Sequence, residues 1–147
     1  MNIKNTLRKL VSFMLVIMML IVPHVVFAAK NTYVQPRWSC IYECANSLDR
    51  VAGSRALALC ADVEVYDGYY AGIVAQLQKY NSSTGRWEDV SNRYWDYADE
   101  DGLCVLDETY IGVSAGTYRA SLEFIAYSTS WFILETFTCY TDQVTIP

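Results

Sequence analysis

The sequence predicts an all-β protein, a seven-stranded antiparallel sandwich of immunoglobulin-like or fibronectin-like type behind an N-terminal export signal. Three observations carry this. After residue 30 helical periodicity is hard to find, while apolar and polar residues alternate at period two in segment after segment. Turn chemistry recurs every ten to fifteen residues, the rhythm of a sandwich. The chain is 53% hydrophobic and only 18% charged, a balance that excludes disorder, and its 147 residues suit one packed core.

The first 28 residues have the three parts of a secretory signal peptide. Lys4, Arg8 and Lys9 form the basic start. Residues 10–22 then run thirteen positions with only Ser12 polar. Pro23 breaks that segment, and Val26-Phe27-Ala28 ends it, so cleavage is expected between Ala28 and Ala29. The competing reading, an uncleaved anchor, falls short of the roughly 20 apolar residues that span a bilayer. No cysteine follows closely enough for a lipoprotein site. The expected division is a signal at 1–28, a short leader at 29–36 and the sandwich at 37–147.

Cleavage changes the arithmetic. It leaves 119 residues; three of eleven basic residues go and all sixteen acids stay, so the formal charge moves from −5 to −8. Such an excess argues against nucleic acid, whose backbone attracts Lys and Arg. His24 is the only histidine and it leaves too. Without it the mature chain has no Ser-His or Cys-His nucleophile pair and no His-ligated zinc. No cofactor is expected.

The strands follow in order. Residues 38–48 and 55–66 pair around Val51-Ala52-Gly53-Ser54, the second strand apolar on both faces as a central strand would be. Residues 73–80 return through Asn81-Ser82-Ser83-Thr84-Gly85 into residues 86–90, which Tyr94-Trp95 extend. Residues 103–110 follow the acidic turn Asp99-Glu100-Asp101-Gly102. In residues 117–127, Tyr118, Ala120, Leu122, Phe124 and Ala126 alternate with Thr117, Arg119, Ser121 and Glu123, which assigns the first set to the core. Residues 131–140 complete a hairpin after Ser128-Thr129-Ser130. A tyrosine opening the penultimate strand after a tight turn, here Tyr118, stands where an immunoglobulin-type tyrosine corner sits. Two residues on, where antibodies have Cys, the chain has Ala120.

Leu77-Gln78-Lys79, a turn, Gly85-Arg86-Trp87 and Val90, followed by Ala115-Gly116-Thr117-Tyr118-Arg119, resemble a group of uncharacterised small secreted proteins of Gram-positive bacteria. That resemblance covers the chain from Trp38 onward. It implies a signal peptide plus one β-sandwich, and it brings no activity or functional residues.

Five cysteines, Cys40, Cys44, Cys60, Cys104 and Cys139, lie in the exported part, where at least one disulfide is expected. A hairpin pivot near residue 52 would oppose Cys44 and Cys60 directly. Cys60 with Cys104 and Cys40 with Cys139 are the alternatives. No C-x-x-C spacing points to a metal.

Two segments could bind. Tyr66-Asp67-Gly68-Tyr69-Tyr70 and Tyr94-Trp95-Asp96-Tyr97 put aromatics at expected sandwich ends, so Tyr66, Tyr69, Tyr70, Tyr94, Trp95 and Tyr97 are the candidate ligand-binding residues. The acidic stretch 96–101 offers Asp96, Asp99 and Asp101 for calcium, but its EF-hand match fails at Tyr97, where a carboxylate is required. Core or strand-pair packing accounts for Trp87, Tyr118 and Phe124. Paired carboxylates, Asp62 or Glu64 with Asp107 or Glu108, are the one catalytic arrangement on offer. Alternating acids on strand faces produce such pairs routinely.

The sequence therefore predicts a secreted, non-catalytic β-sandwich, free in the medium or associated with the cell wall. It would act as a protein- or cell-surface-interaction module and meet the membrane only through its uncleaved signal. The alternative is a carbohydrate-binding module using exposed Trp and Tyr, with or without calcium. A carboxylate-dependent glycoside hydrolase is the third reading. The expected partner is a cell-surface protein or glycan.

Overall fold

A computed structural model describes residues 31–33 and 39–147. The predicted signal, its cleavage between Ala28 and Ala29, and Trp38 lie outside the described residues. The described chain is all β and contains no helix. Nine strands are present among the described residues: β1 (Asn31–Tyr33), β2 (Ile41–Arg50), β3 (Ala56–Val65), β4 (Tyr70–Asn81), β5 (Arg86–Asp99), β6 (Leu103–Ile111), β7 (Gly116–Tyr127), β8 (Ile133–Tyr140) and β9 (Val144–Ile146). The seven expected strands correspond to β2–β8. Two short ones were not foreseen: β1 falls in the predicted leader and pairs with β2, and β9 pairs with β7.

All pairings are antiparallel. One sheet has the order β1-β2-β3-β6 and the other β5-β4-β7-β8, with β9 beside β7. The two sheets share one core: Leu57, Leu59, Val63 and Leu106 from the first meet Ile73, Leu77, Leu122 and Phe124 from the second. Period two explains this assignment. All five residues expected on the core face of β7, Tyr118 through Ala126, are buried. Burying a side chain such as Phe124 contributes roughly 2–3 kcal/mol.

Local chemistry fixes the joints. Asn81 Oδ1 accepts from Ser83 N at 2.9 Å, and Gly85 takes φ +68° to close the β4–β5 turn. The hydroxyl of Tyr118 donates to the backbone carbonyl of Ser114 at 2.8 Å, the bond a tyrosine corner requires. Thr141 then ties the end of β8 to β7: Ala120 N donates to Thr141 Oγ1 at 2.9 Å, and Thr141 N to Ala120 O at 3.0 Å.

Two irregularities matter more. In β2 the register jumps between Ile41 and Glu43, so Tyr42 bulges outward and both Ile41 and Cys44 reach the core. In β5 the register against β4 moves from Gln76↔Tyr94 to Gln78↔Asp89, an offset of three residues. Asn92 absorbs it at φ 61°, a conformation Asn tolerates better than most side chains. Gln76 mends the broken ladder by donating Nε2 to the carbonyls of Leu77 and Val90, at 2.9 and 3.1 Å. Because three is odd, the strand changes faces. Trp87 and Trp95, eight apart, would share a side of a regular strand. Instead Trp87 points outward opposite Tyr80, and Trp95 points into the core opposite Ala75.

The cysteine pairing is corrected by the register. Cys44 faces Val63 and Cys60 faces Ser47, so the β2–β3 turn is centred between Gly53 and Ser54 rather than near residue 52. Val51 N bonds Ala56 O at 3.0 Å and Gly53 takes φ +72°, which sets that centre. Cys44 and Cys60 are three positions out of register and on opposite faces, Cys44 buried and Cys60 exposed. Cys60 with Cys104 fails likewise, since Cys60 opposes Asp107 and Cys104 opposes Val63. No two of the five sulfurs lie at bonding distance.

Candidate functional site

The six aromatic candidates do not form one site. Tyr66 is exposed and meets Tyr42 edge to face, 5.5 Å between centroids. Tyr69 packs part-buried against the core, and the ring of Tyr70 lies 4.8 Å from that of Trp131. Trp95 packs part-buried against the core, 4.8 Å from the ring of Tyr110. Tyr94 and Tyr97 are exposed on opposite faces of β5. The odd offset in β5 is the physical reason Trp95 leaves the set.

Tyr69 and Tyr70 do line a cavity of about 180 Å³ where the β3–β4 and β5–β6 turns meet, with Glu64, Asp67, Glu100 and Asp101. The calcium candidates are not gathered there. Asp96 lies on the outward face of β5 opposite Val74, Asp99 Oδ1 is taken by the backbone N–H of Asp101 at 2.9 Å, and Asp101 alone lines the cavity. Among the described residues no three His, Cys, Asp or Glu side chains converge as metal ligands would. Of the carboxylate pairs, only those with Glu108 are divided. Asp62, Glu64 and Asp107 occupy the outer face of the β1-β2-β3-β6 sheet, while Glu108 takes the other face of β6.

The outer face of the β5-β4-β7-β8 sheet holds the more organised constellation. A chain of side chains crosses all four strands. Asp89 Oδ1 on β5 accepts from Gln78 Nε2 on β4 at 2.9 Å, and Gln78 Oε1 accepts from Arg119 Nε on β7 at 3.0 Å. The guanidinium carbon of Arg119 lies 3.8 Å from the ring centroid of Tyr140 on β8 and 4.4 Å from that of Trp87 on β5. Trp87 packs in turn on Tyr80, 5.4 Å away. Cation–π contacts this close hold a guanidinium in place as well as attracting it.

One row along the sheet, Tyr94, Gln76, Ser121 and Tyr140 stand opposite one another across the four strands. Tyr94 and Tyr140 are 57% and 47% exposed. At about 4.8 Å per strand they stand roughly 14 Å apart, with polar side chains between them. Asp96 and Glu123 occupy the following row. The face can therefore offer rings to stack on, amide and hydroxyl groups to hydrogen-bond, and one clamped cation.

Sequence reasoning named Tyr94, but at a sandwich end rather than on a sheet face, and missed Arg119, Gln78 and Tyr140. The alternation of residues 117–127 did put Arg119 on the solvent face; what it could not supply was the register that brings Trp87 and Tyr140 to it.

Elsewhere the titratable groups serve the fold. Burial pushes the Cys44 thiol up to about 12, with Cys139 and Glu43 adding to it. Burial likewise takes Cys104, helped by Asp99, and Cys139 up to about 11. Such thiols are protonated and poor nucleophiles at neutral pH. Burial also pushes the Tyr110 phenol well above its ordinary range, and its hydroxyl has no hydrogen-bond partner among the described residues. Glu135 caps the start of β2 from β8: its carboxylate accepts from the backbone N–H of Ser39, Cys40 and Ile41 at 3.1, 2.7 and 3.0 Å. Burial pushes that carboxyl up, but the three donors outweigh it and hold it below the ordinary value.

No family model and no curated protein sequence matches the chain.

Proposed function

We propose that the protein is a secreted, non-catalytic binding module of fibronectin-like architecture, and that its ligand is a glycan lying across the outer face of β5-β4-β7-β8. The architecture rests on the order β2-β3-β6 facing β5-β4-β7-β8 and on the Tyr118 corner. Export rests on the leader sequence, and the absence of histidine after it argues against the common hydrolytic machinery.

The observation that carries the glycan reading is the pair of exposed tyrosines, Tyr94 and Tyr140, flanking a polar floor. Sugar rings present apolar faces and hydroxyl edges, so they suit flat aromatic walls with amides and hydroxyls between. The test is a titration of the protein with an oligosaccharide panel, read by intrinsic fluorescence and by NMR shifts. Tyr94→Ala, at unchanged melting temperature, and Tyr140→Ala, which also removes a ring from Arg119, are each expected to weaken binding about tenfold. Binding that survives both changes, or that is lost only in a destabilised Trp95→Ala variant, rejects this face.

A second reading has its own support. Trp131, Phe132, Ile133 and Leu134 are four consecutive exposed apolar residues leading into β8, and Trp131 sits at φ 64°, unusual for so bulky a residue. Such a run suits a protein partner. Phe132→Ser with Ile133→Ser separates the two readings, since it should abolish capture of a protein partner and leave oligosaccharide binding intact.

A further inference from the structure

Arg119 is held as few surface arginines are. Its Nε is fixed by Gln78 at 3.0 Å, and the rings of Trp87 and Tyr140 reach its guanidinium from β5 and β8. Gln78 is fixed in turn by Asp89. Most surface arginines lose rotamer freedom only on binding; this one has already lost it.

What the clamp leaves over is informative. Neither terminal amino group of Arg119 has a hydrogen-bond partner, and no carboxylate forms a salt bridge with it among the described residues. In a chain with sixteen acids against eleven basic residues, an immobilised cation without a counter-charge stands out. With the ring contacts occupying the guanidinium face and Nε spent, the two amino groups remain as a planar fork. That fork matches two oxygens of one oxyanion.

We infer that the glycan proposed above carries a negatively charged group, a carboxylate or a phosphate, and that Arg119 binds it in bidentate fashion. The inference rests on the glycan reading and adds its chemical class. The rest of the face gives the direction in which the ligand lies. Glu123, two positions along the same side of β7, and Asp96 opposite Val74 repel an anion on the rows beyond Tyr94 and Tyr140, while Asp89, two strands across in the row of Arg119, is engaged by Gln78. The charged group therefore sits at the Arg119 end and the hydroxyls extend over Gln76, Ser121 and Glu123. Lys79 does not share this face: it stands opposite Tyr118 on the other side of the sheet, its ammonium 2.8 Å from Ser114 Oγ and 5.6 Å from the Tyr118 centroid.

The test compares three probes of equal length: an oligogalacturonide for the carboxylate, a glycerol-phosphate oligomer for the phosphate, and a neutral galacto-oligosaccharide. At least one acidic probe should bind ten- to a hundredfold more tightly than the neutral one, the worth of a charge-assisted fork. Which acidic probe wins identifies the source of the oxyanion. Arg119→Gln should bring acidic and neutral probes within twofold of each other, and Arg119→Lys should keep part of the preference. Should Arg119→Gln lower the melting temperature by more than a few degrees, Arg119→Lys, which keeps the charge, decides. Equal binding of all three probes, a preference that survives Arg119→Gln, or no binding of either acidic probe overturns the inference. If the neutral probe still binds and is lost on Tyr94→Ala, the glycan reading stands without it; if nothing binds, both fall.

Discussion

Tyr118→Phe removes a single hydroxyl from the joint that starts β7. The ring, 2% exposed, keeps its packing and its place under the Lys79 ammonium. What is lost is the donation to the Ser114 carbonyl at 2.8 Å and the contact with Ser114 Oγ at 3.0 Å. Ser114 is itself exposed, so water can reach the abandoned carbonyl and the full penalty of a buried orphan does not apply. The expected cost is then about 1–2 kcal/mol, or roughly 3–6 °C in melting temperature for a domain of this size. Urea denaturation should show a lower midpoint at unchanged slope, which marks a change in stability rather than in the surface exposed. Ser114→Ala supplies the comparison. It keeps the backbone carbonyl and removes only Oγ, which Lys79 also holds at 2.8 Å, so it should cost no more than about 0.5 kcal/mol. A Tyr118→Phe variant within about 0.3 kcal/mol of the parent would refute the corner as a stabilising joint. So would a Ser114→Ala variant that costs as much as Tyr118→Phe, because the backbone bond would then not be the one that counts.

Two further outcomes follow from the titratable groups. Glu135→Gln keeps the shape of the cap on β2 but replaces a charged acceptor of three backbone N–H groups; a loss of about 1–2 kcal/mol at pH 7 is expected by thermal denaturation. Because the carboxyl is held below its ordinary value when folded, this contribution is present above the unfolded value near 4.5 and disappears as pH falls through the folded one, so parent and variant should converge in acid. The thiols act in the opposite direction. Folding raises Cys44 to about 12 and Cys104 and Cys139 to about 11 from 9.0, so their contribution is whole below pH 9 and is lost as pH climbs through 11 to 12. The melting temperature should fall over that climb. At pH 8 an aromatic disulfide reagent should modify Cys60 rapidly and the buried thiols only after unfolding; rapid reaction of Cys44 or Cys139 would contradict their burial.

The fold was legible where a single strand or turn carries its own pattern. Residues 117–127 announce their core face by alternation, and Asn81 through Gly85 announce a turn by side chains that bond their own backbone. It was illegible where the information lies between strands. Nothing in Val51-Ala52-Gly53-Ser54 says whether the turn centres on residue 52 or a residue and a half later, and that difference alone removed the Cys44–Cys60 pairing. Val144-Thr145-Ile146 is too short to read as a strand until β7 offers it an edge.

The candidate site shows the same limit at higher stakes. A loop aromatic draws attention because loops carry function, yet the organised group here sits on strand faces: Trp87 from β5, Arg119 from β7 and Tyr140 from β8. Each faces outward for a reason of its own. Arg119 follows the alternation of β7, and Tyr140 follows its pairing with Ser121. Trp87 depends on the three-residue offset around Asn92: on a regular β5, fixing Trp95 opposite Ala75 in the core would have sent Trp87 to the core side as well. The bulge thus does two jobs with one irregularity, giving the core one tryptophan and the outer face the other. Its sequence trace is slight, an Asn that can take positive φ and a Gln that can bridge the broken ladder. A binding face on a sheet is set by register before it is set by residue type, so the same Trp, Arg and Tyr in a chain one residue shorter at that bulge would not meet.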